Sequence, residues 1–195
     1  MNDSPRIVAE GRFLRFVKRG SWEYVERVAV RDVAVLVPIT DDREIVLVEQ
    51  YRIPVQARMV ELPAGLVGDE EEFRDEELCD AANRELHEET GYRAKTLQVL
   101  ARAPSSGGMT SEIVSFLLAT GLTKTGAGGG VDGEDITVHV VPLGDVRDWL
   151  RRREVEGCLL DPKIFAGLYL IEVAPSEWPA GGRCDVPGTR TVPRA

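Results

Sequence analysis

Residues 84–92 read Arg84-Glu85-Leu86-His87-Glu88-Glu89-Thr90-Gly91-Tyr92. On an α-helix each residue turns about 100°, so Glu85 and Glu89 stand roughly 40° apart and about 6 Å apart along the axis. Glu88 falls between Arg84 and Glu85 in angle, which gives one face carrying three carboxylates and a guanidinium. Like charges at this spacing repel and weaken an isolated helix. A cation recruited from solvent turns that repulsion into coordination, and hard carboxylate oxygens select Mg²⁺, Mn²⁺ or Ca²⁺ over a soft metal. The competing reading is the solvated face of a surface helix, which is what most Glu-rich helices are. Upstream, Glu61-Leu62-Pro63-Ala64-Gly65 reads as a strand ending in a tight turn that brings backbone carbonyls towards the helix start. Downstream, Asp132-Gly133-Glu134-Asp135-Ile136 is a second acidic group, which taken alone is a solvated turn.

The elements that must hold these residues are legible in outline. Asp32–Ile39 is too continuously apolar for a half-exposed strand and predicts a central one. Thr40–Arg43 is a turn, and Glu44–Tyr51 the returning strand. Residues 6–31 fit two antiparallel strands joined at Gly20, with Arg and Lys on the wet face. A helix is predicted from about Glu77 to Thr90, closed by Gly91 just past its end. Strand-like runs recur at 96–103, 112–119 and 135–141, the last two separated by a flexible loop at Gly126–Gly130. Asp145–Arg153 and Pro162–Glu172 look helical, and from Pro175 a Pro, Gly and Arg composition predicts a weakly packed tail. This order implies an α/β (α+β) sandwich, a mixed central sheet flanked by helices with an N-terminal antiparallel extension.

Charge and composition narrow the function. The 195 residues carry a net charge of −9, from 33 acidic against 24 basic side chains, which disfavours wrapping of nucleic acid. An acidic protein that binds a phosphorylated ligand must solve a charge problem locally, and divalent cations are the usual solution. No apolar run approaches a transmembrane length, and Met1–Arg12 lacks the layout of a secretory signal. A cytoplasmic protein that binds neither membrane nor nucleic acid is the expectation. Cys79, Cys158 and Cys184 are odd in number without CxxC spacing, so reduced, structural thiols are expected.

The 84–92 segment resembles the second half of the Nudix box, Arg-Glu-apolar-any-Glu-Glu-any-Gly-apolar. Glu76 stands eight positions before Arg84, as the box requires. Gly65 should precede that Glu by six positions yet lies eleven before it, which places a five-residue insertion within Gly68–Asp75, in a loop that tolerates it. Glu71 keeps the Gly spacing but loses the Arg spacing. Val48-Glu49-Gln50-Tyr51-Arg52, Glu61–Gly65 and Ser21–Arg27 narrow the resemblance to the ADP-ribose pyrophosphatase and nucleoside diphosphate sugar hydrolase branch. Pro104–Glu112 is a weaker match to that branch's Ser-Pro-Gly loop.

The resemblance implies a Nudix fold with three parts: N-terminal strands at 1–32, a hydrolase domain at 33–174 and the tail at 175–195. It implies Mg²⁺, with Mn²⁺ as a possible substitute, on Glu85, Glu89 and the Ala64 carbonyl, with Glu88 a ligand or its support. Arg84 then pairs with a carboxylate ahead of the helix. Glu134 is the candidate general base, with Asp132 and Asp135 as rivals. Trp22 is implied as a base platform, although a strand Trp is more often core. Arg27 and Arg52 are implied to contact phosphate or ribose, with Glu61 and Glu112 beside the substrate. The implied reaction is hydrolysis of ADP-ribose to AMP and ribose 5-phosphate by a homodimer joined through its N-terminal strands. GDP-mannose or UDP-glucose as substrate, or a non-catalytic ligand sensor, are the alternatives.

Overall fold

The computed structural model describes residues 4–68, 74–130, 133–177 and 183–185. In chain order its elements are β1 (Arg6–Glu10), β2 (Leu14–Arg19), β3 (Trp22–Arg27), β4 (Asp32–Pro38), β5 (Glu44–Arg52), β6 (Ala57–Glu61) and β7 (Ala64–Val67). Next come α1 (Leu78–Thr90), β8 (Tyr92–Arg93), β9 (Thr96–Pro104), β10 (Ile113–Thr120), β11 (Thr123–Lys124), β12 (Thr137–Pro142) and α2 (Val146–Val155). The chain closes with β13 (Leu159–Leu160), α3 (Pro162–Glu177) and β14 (Arg183–Asp185).

The sandwich expectation holds, but its sheet is divided in two. One mixed sheet has the order β14-β9-β10-β4-β7, with β4 parallel to β10 and antiparallel to β7. The other has the order β12-β5-β6-β13, with β5 and β6 antiparallel. The apolar run of β4 is explained by burial on both faces. Val33, Val35 and Val37 join Ile45, Leu47, Val60, Leu62, Phe116 and Ile164 in one core. Ala34 and Leu36 point the other way, into a second core with Cys79, Ala82 and Leu86 of α1. Side chains alternate across a strand and recur every three to four residues on a helix, so one strand serves two layers while α1 offers a single apolar stripe. That stripe leaves Glu85 and Glu89 beside β7, at the margin of the larger sheet.

Two expectations are corrected. The N-terminal extension has three strands in the order β1-β2-β3, because Arg6–Glu10 pairs with β2 before the Gly20 turn. Of the tail expected from Pro175, α3 takes in the first residues up to Glu177 and β14 pairs with β9 at the edge of the larger sheet, while residues 178–182 and 186–195 lie outside the described residues. Cys79 is disulfide-bonded rather than reduced, while Cys158 is a free, buried thiol. Among the described residues no helix is long and apolar enough to cross a membrane.

Candidate active site

The acidic face of α1 opens into a cleft of about 410 Å³ between the two sheets. Four cations (Arg27, Arg52, Arg84 and Lys163) and six carboxylates (Glu61, Glu85, Glu88, Glu89, Glu112 and Glu134) line it, with Ala64 and Gly65 at its wall. Every implied site residue except Trp22 is therefore brought to one place. The acidic surplus lies on the helix, whose C-terminus is fixed by Gly91 at φ 75, donating its N–H to the His87 carbonyl at 2.8 Å.

Glu89 is a buried carboxylate, 6% exposed. Burial pushes its carboxyl well above the ordinary range, and the negative charges of Glu85 and Glu134 add to the rise; the hydrogen bond from the Ala64 N–H opposes it. That bond measures 3.1 Å to Glu89 Oε2 and ties the turn after β6 to the helix. Gly65 follows at once, on β7 opposite Ala34. A Cβ there would overlap the Glu85 side chain, so only glycine lets the strand and the helix carboxylates approach this closely.

Arg84 gathers the remaining helix charges. Its Nη1 donates to Glu85 Oε1 at 2.9 Å and to Glu88 Oε2 at 3.2 Å, and its Nη2 to Glu76 Oε2 at 3.1 Å. Burial alone would lower the guanidinium pKa, but the bond to Glu76 and the charges of Glu85, Glu76 and Glu88 outweigh it and raise it. Glu76 sits just ahead of α1, and its own carbonyl accepts from Arg31 Nη2 at 2.6 Å. The inserted stretch lies largely in residues 69–73, outside the described residues.

The donor chemistry suits a hard divalent cation. A buried carboxylate with a raised pKa, two more carboxylates on the same face and a glycine-lined wall form a site where positive charge is favoured. Among the described residues, no three Asp, Glu, His or Cys side chains already enclose a common ion position. Glu85 and Glu88 are drawn onto Arg84 instead, so chelation requires them to turn from the guanidinium towards Glu89.

The opposite wall is built from pairs distant in sequence. Arg52 Nε donates to Glu61 Oε2 at 2.8 Å across β5 and β6, and Arg27 of β3 pairs with Glu112. These two carboxyls move in opposite directions. Burial dominates at Glu61 and pushes its pKa up against the pull of Arg52. At Glu112 burial is outweighed by hydrogen bonds from Arg27 and Ser105, and the pKa is lowered. Lys163, at the start of α3, is a cleft residue absent from the sequence reading; its ammonium pairs with the buried Asp161. Gln50 is a second. No local pattern marks either, although Gln50 neighbours the quoted Val48–Arg52 motif.

Two expectations are revised by geometry. Trp22 is 63% exposed and borders a separate depression with Arg19, Tyr24 and Gly107. It lies five positions from Arg27 on a regular strand, and an odd separation puts the two on opposite faces, roughly 17 Å apart along the chain. Within one chain Trp22 and Arg27 therefore do not grip the same group. Of the rivals to Glu134, Asp135 bonds Arg58 Nη1 at 3.0 Å and is absent from the cleft lining. Asp132 lies outside the described residues.

The NUDIX domain family model matches residues 30–157. A methanol dehydrogenase activator from Bacillus methanolicus is 38% identical over 108 residues, covering 55% of this chain and 55% of that protein. An ADP-ribose pyrophosphatase from Bacillus subtilis is 37% identical over 126 residues, covering 63% of this chain and 64% of that one. The chain thus spans between about half and two thirds of the length of these relatives. A solved structure, described as the crystal structure of ADP compounds hydrolase, superposes with a TM-score of 0.65. It is 21% identical and covers 87% of this chain and 90% of that one, a likeness of fold.

Proposed function

Since the chain belongs to the NUDIX domain family, we propose that it is a Mg²⁺-dependent pyrophosphohydrolase that cleaves the diphosphate of a nucleoside diphosphate sugar, ADP-ribose first among them. The observation that carries this reading is one cleft that joins the acidic face of α1 to paired arginines and to Glu134. The likeness to an ADP-ribose pyrophosphatase supports the substrate class.

In this reading Glu85, Glu89 and the Ala64 carbonyl hold the divalent cation, with Glu88 as ligand or support; Mn²⁺ can replace Mg²⁺. The cation supplies charge neutralisation at the diphosphate oxygens. Arg27 and Arg52 offer planar forks that bond two oxygens at once, and they grip the diphosphate and ribose. Glu61 and Glu112 hold those forks in place through their ion pairs. Glu134 accepts a proton from the attacking water, and Arg84 restrains Glu85 and Glu88. The N-terminal strands at 1–32 extend a hydrolase domain at 33–174 and join two chains in a homodimer, which lets Trp22 of one chain face the cleft of the other. The protein works in the cytoplasm, apart from membranes and nucleic acid.

The test is release of phosphomonoesters from ADP-ribose, GDP-mannose and UDP-glucose, with Mg²⁺ and with EDTA. AMP and ribose 5-phosphate formed only with Mg²⁺ are expected. Free ribose with intact ADP would overturn the mechanism. Binding of ADP-ribose without turnover would make the protein a ligand sensor.

A further inference from the structure

The glycine-rich run at Gly126–Gly130 has no part in the reaction as set out above, and its composition reads as a flexible linker. Its backbone is instead bonded to the end of α1. The Gly129 N–H donates to the Glu89 carbonyl at 2.8 Å and the Gly130 N–H to the Glu88 carbonyl at 3.0 Å. Thr125 and Gly126 both donate to the Gly91 carbonyl, and Lys124 Nζ reaches the Thr90 carbonyl at 2.7 Å. The last carbonyls of a helix have no partner within it, and here the loop supplies partners at Glu88 and Glu89, two of the three residues that carry the acidic face.

Gly130 also touches the other side of the cleft. It has φ 85, and a Cβ built on it would lie 2.5 Å from Glu134 Oε2 and 2.7 Å from Glu134 Cβ. Gly129 shares the positive φ, at 106, yet a Cβ there meets only the Ile136 carbonyl at 3.8 Å. Just beyond Glu134, Asp135 is held by Arg58, whose Nε donates to the buried Glu49 at 2.7 Å.

We propose that Gly130 is a positioning residue for Glu134: bonded to the α1 carbonyl of Glu88 and lacking a Cβ, it seats the Glu134 carboxylate against the acidic helix. The Arg58–Asp135 pair restrains the same carboxylate from the far side. The inference rests on the reading of Glu134 as general base, and it makes the separation of base and acidic helix a property of the glycine loop.

Gly129→Ala and Gly130→Ala both place a side chain at positive φ, but only the methyl at 130 meets Glu134, with Ile136 Cδ1 at 3.1 Å beside it. With ADP-ribose and Mg²⁺, Gly130→Ala should lower kcat at least tenfold more than Gly129→Ala, because a displacement of about 1 Å at a reacting group has effects of that order. KM should stay within about twofold for both. In a Glu134→Gln background the difference between the two glycine variants should vanish, since both routes end at one carboxylate. Asp135→Ala keeps the inference testable should Gly130→Ala not fold. Asp135 is 82% exposed and its pair with Arg58 lies at the surface, so the change should leave Tm nearly unchanged, lower kcat about two- to fivefold and add nothing in the Glu134→Gln background. If Glu134→Gln alone keeps near-normal turnover, the base reading fails and this inference falls with it. If Glu134→Gln is inactive in kind but the glycine variants are equal, or their difference persists without Glu134, the positioning role is overturned and the base reading stands.

Discussion

Glu89→Gln separates what the buried carboxylate does to the fold from what it does for a cation. Glu89 is almost wholly enclosed, accepts one hydrogen bond from the Ala64 N–H and faces the charges of Glu85 and Glu134. An amide of the same shape keeps the acceptor for Ala64 and removes the charge. Relief of the i, i+4 repulsion with Glu85 is worth roughly 0.2–0.5 kcal/mol. Relief of the buried charge brings the total to about 1 kcal/mol. For a chain of this length that is a rise in Tm of about 2–4 °C. The sign depends on pH. A carboxyl whose folded pKa is raised contributes stability that is complete below its unfolded pKa and is lost as pH rises through the folded value. In EDTA the wild-type protein should therefore fall behind Glu89→Gln as pH increases to 8, and the gap should close in acid. Mg²⁺ reverses the order, because a ligand at 100 times its Kd adds about 2.7 kcal/mol to the protein that binds it. The assay is thermal denaturation of both proteins at pH 5 and 8, with EDTA and with Mg²⁺. Parallel pH dependence in EDTA, or a less stable Glu89→Gln at pH 8, would refute the argument from burial.

Three further outcomes are expected. Gly65→Ala must push Glu85 out of the wall, costing about 1–3 kcal/mol of stability and tenfold or more in kcat, and near-normal turnover would show that the contact is slack. Lys163→Gln keeps a donor for Asp161 but removes a cleft cation, so KM for ADP-ribose should rise several-fold while kcat changes little; an unchanged KM would exclude Lys163 from substrate contact. Light scattering should find a dimer at micromolar concentration, and in it Trp22→Ala should raise KM about 5- to 150-fold through lost stacking, whereas a monomer with unchanged KM would remove both the interface and the base platform.

What the sequence made legible is what lies close together along the chain. The carboxylates of α1 share a face by helical geometry alone, Gly91 marks the end of that helix, and the apolar run of β4 announces burial on both sides. The opposite wall was not legible by pattern, because its pairing is set by topology: Arg27 of β3 meets Glu112 across 85 positions. The glycine run misled for a related reason. Gly126–Gly130 has the composition of a linker, yet its function follows from carbonyls of α1 that lie some forty positions upstream. Trp22 and Arg27 share a strand but stand on opposite faces of it, so a single chain brings only Arg27 to the cleft.

Each cation that lines the cleft already holds a carboxylate: Arg27 with Glu112, Arg52 with Glu61, Arg84 with Glu76, Glu85 and Glu88, and Lys163 with Asp161. An acidic protein can keep such a cleft stable without ligand because these charges are paired before they are used. A diphosphate with its divalent cation brings both signs at once. The cation can take Glu85 and Glu88 from Arg84, which keeps Glu76, while the phosphate oxygens meet the other N–H groups of Arg27 and Arg52, whose Nε atoms stay on Glu112 and Glu61. Neither exchange leaves a buried charge alone, whereas a bare anion meets an acidic surplus and a bare cation leaves Arg84 with Glu76 only. The resting ion pairs therefore favour ligand and metal binding together over either alone, and isothermal titration with each in the absence of the other should find both weaker than in combination.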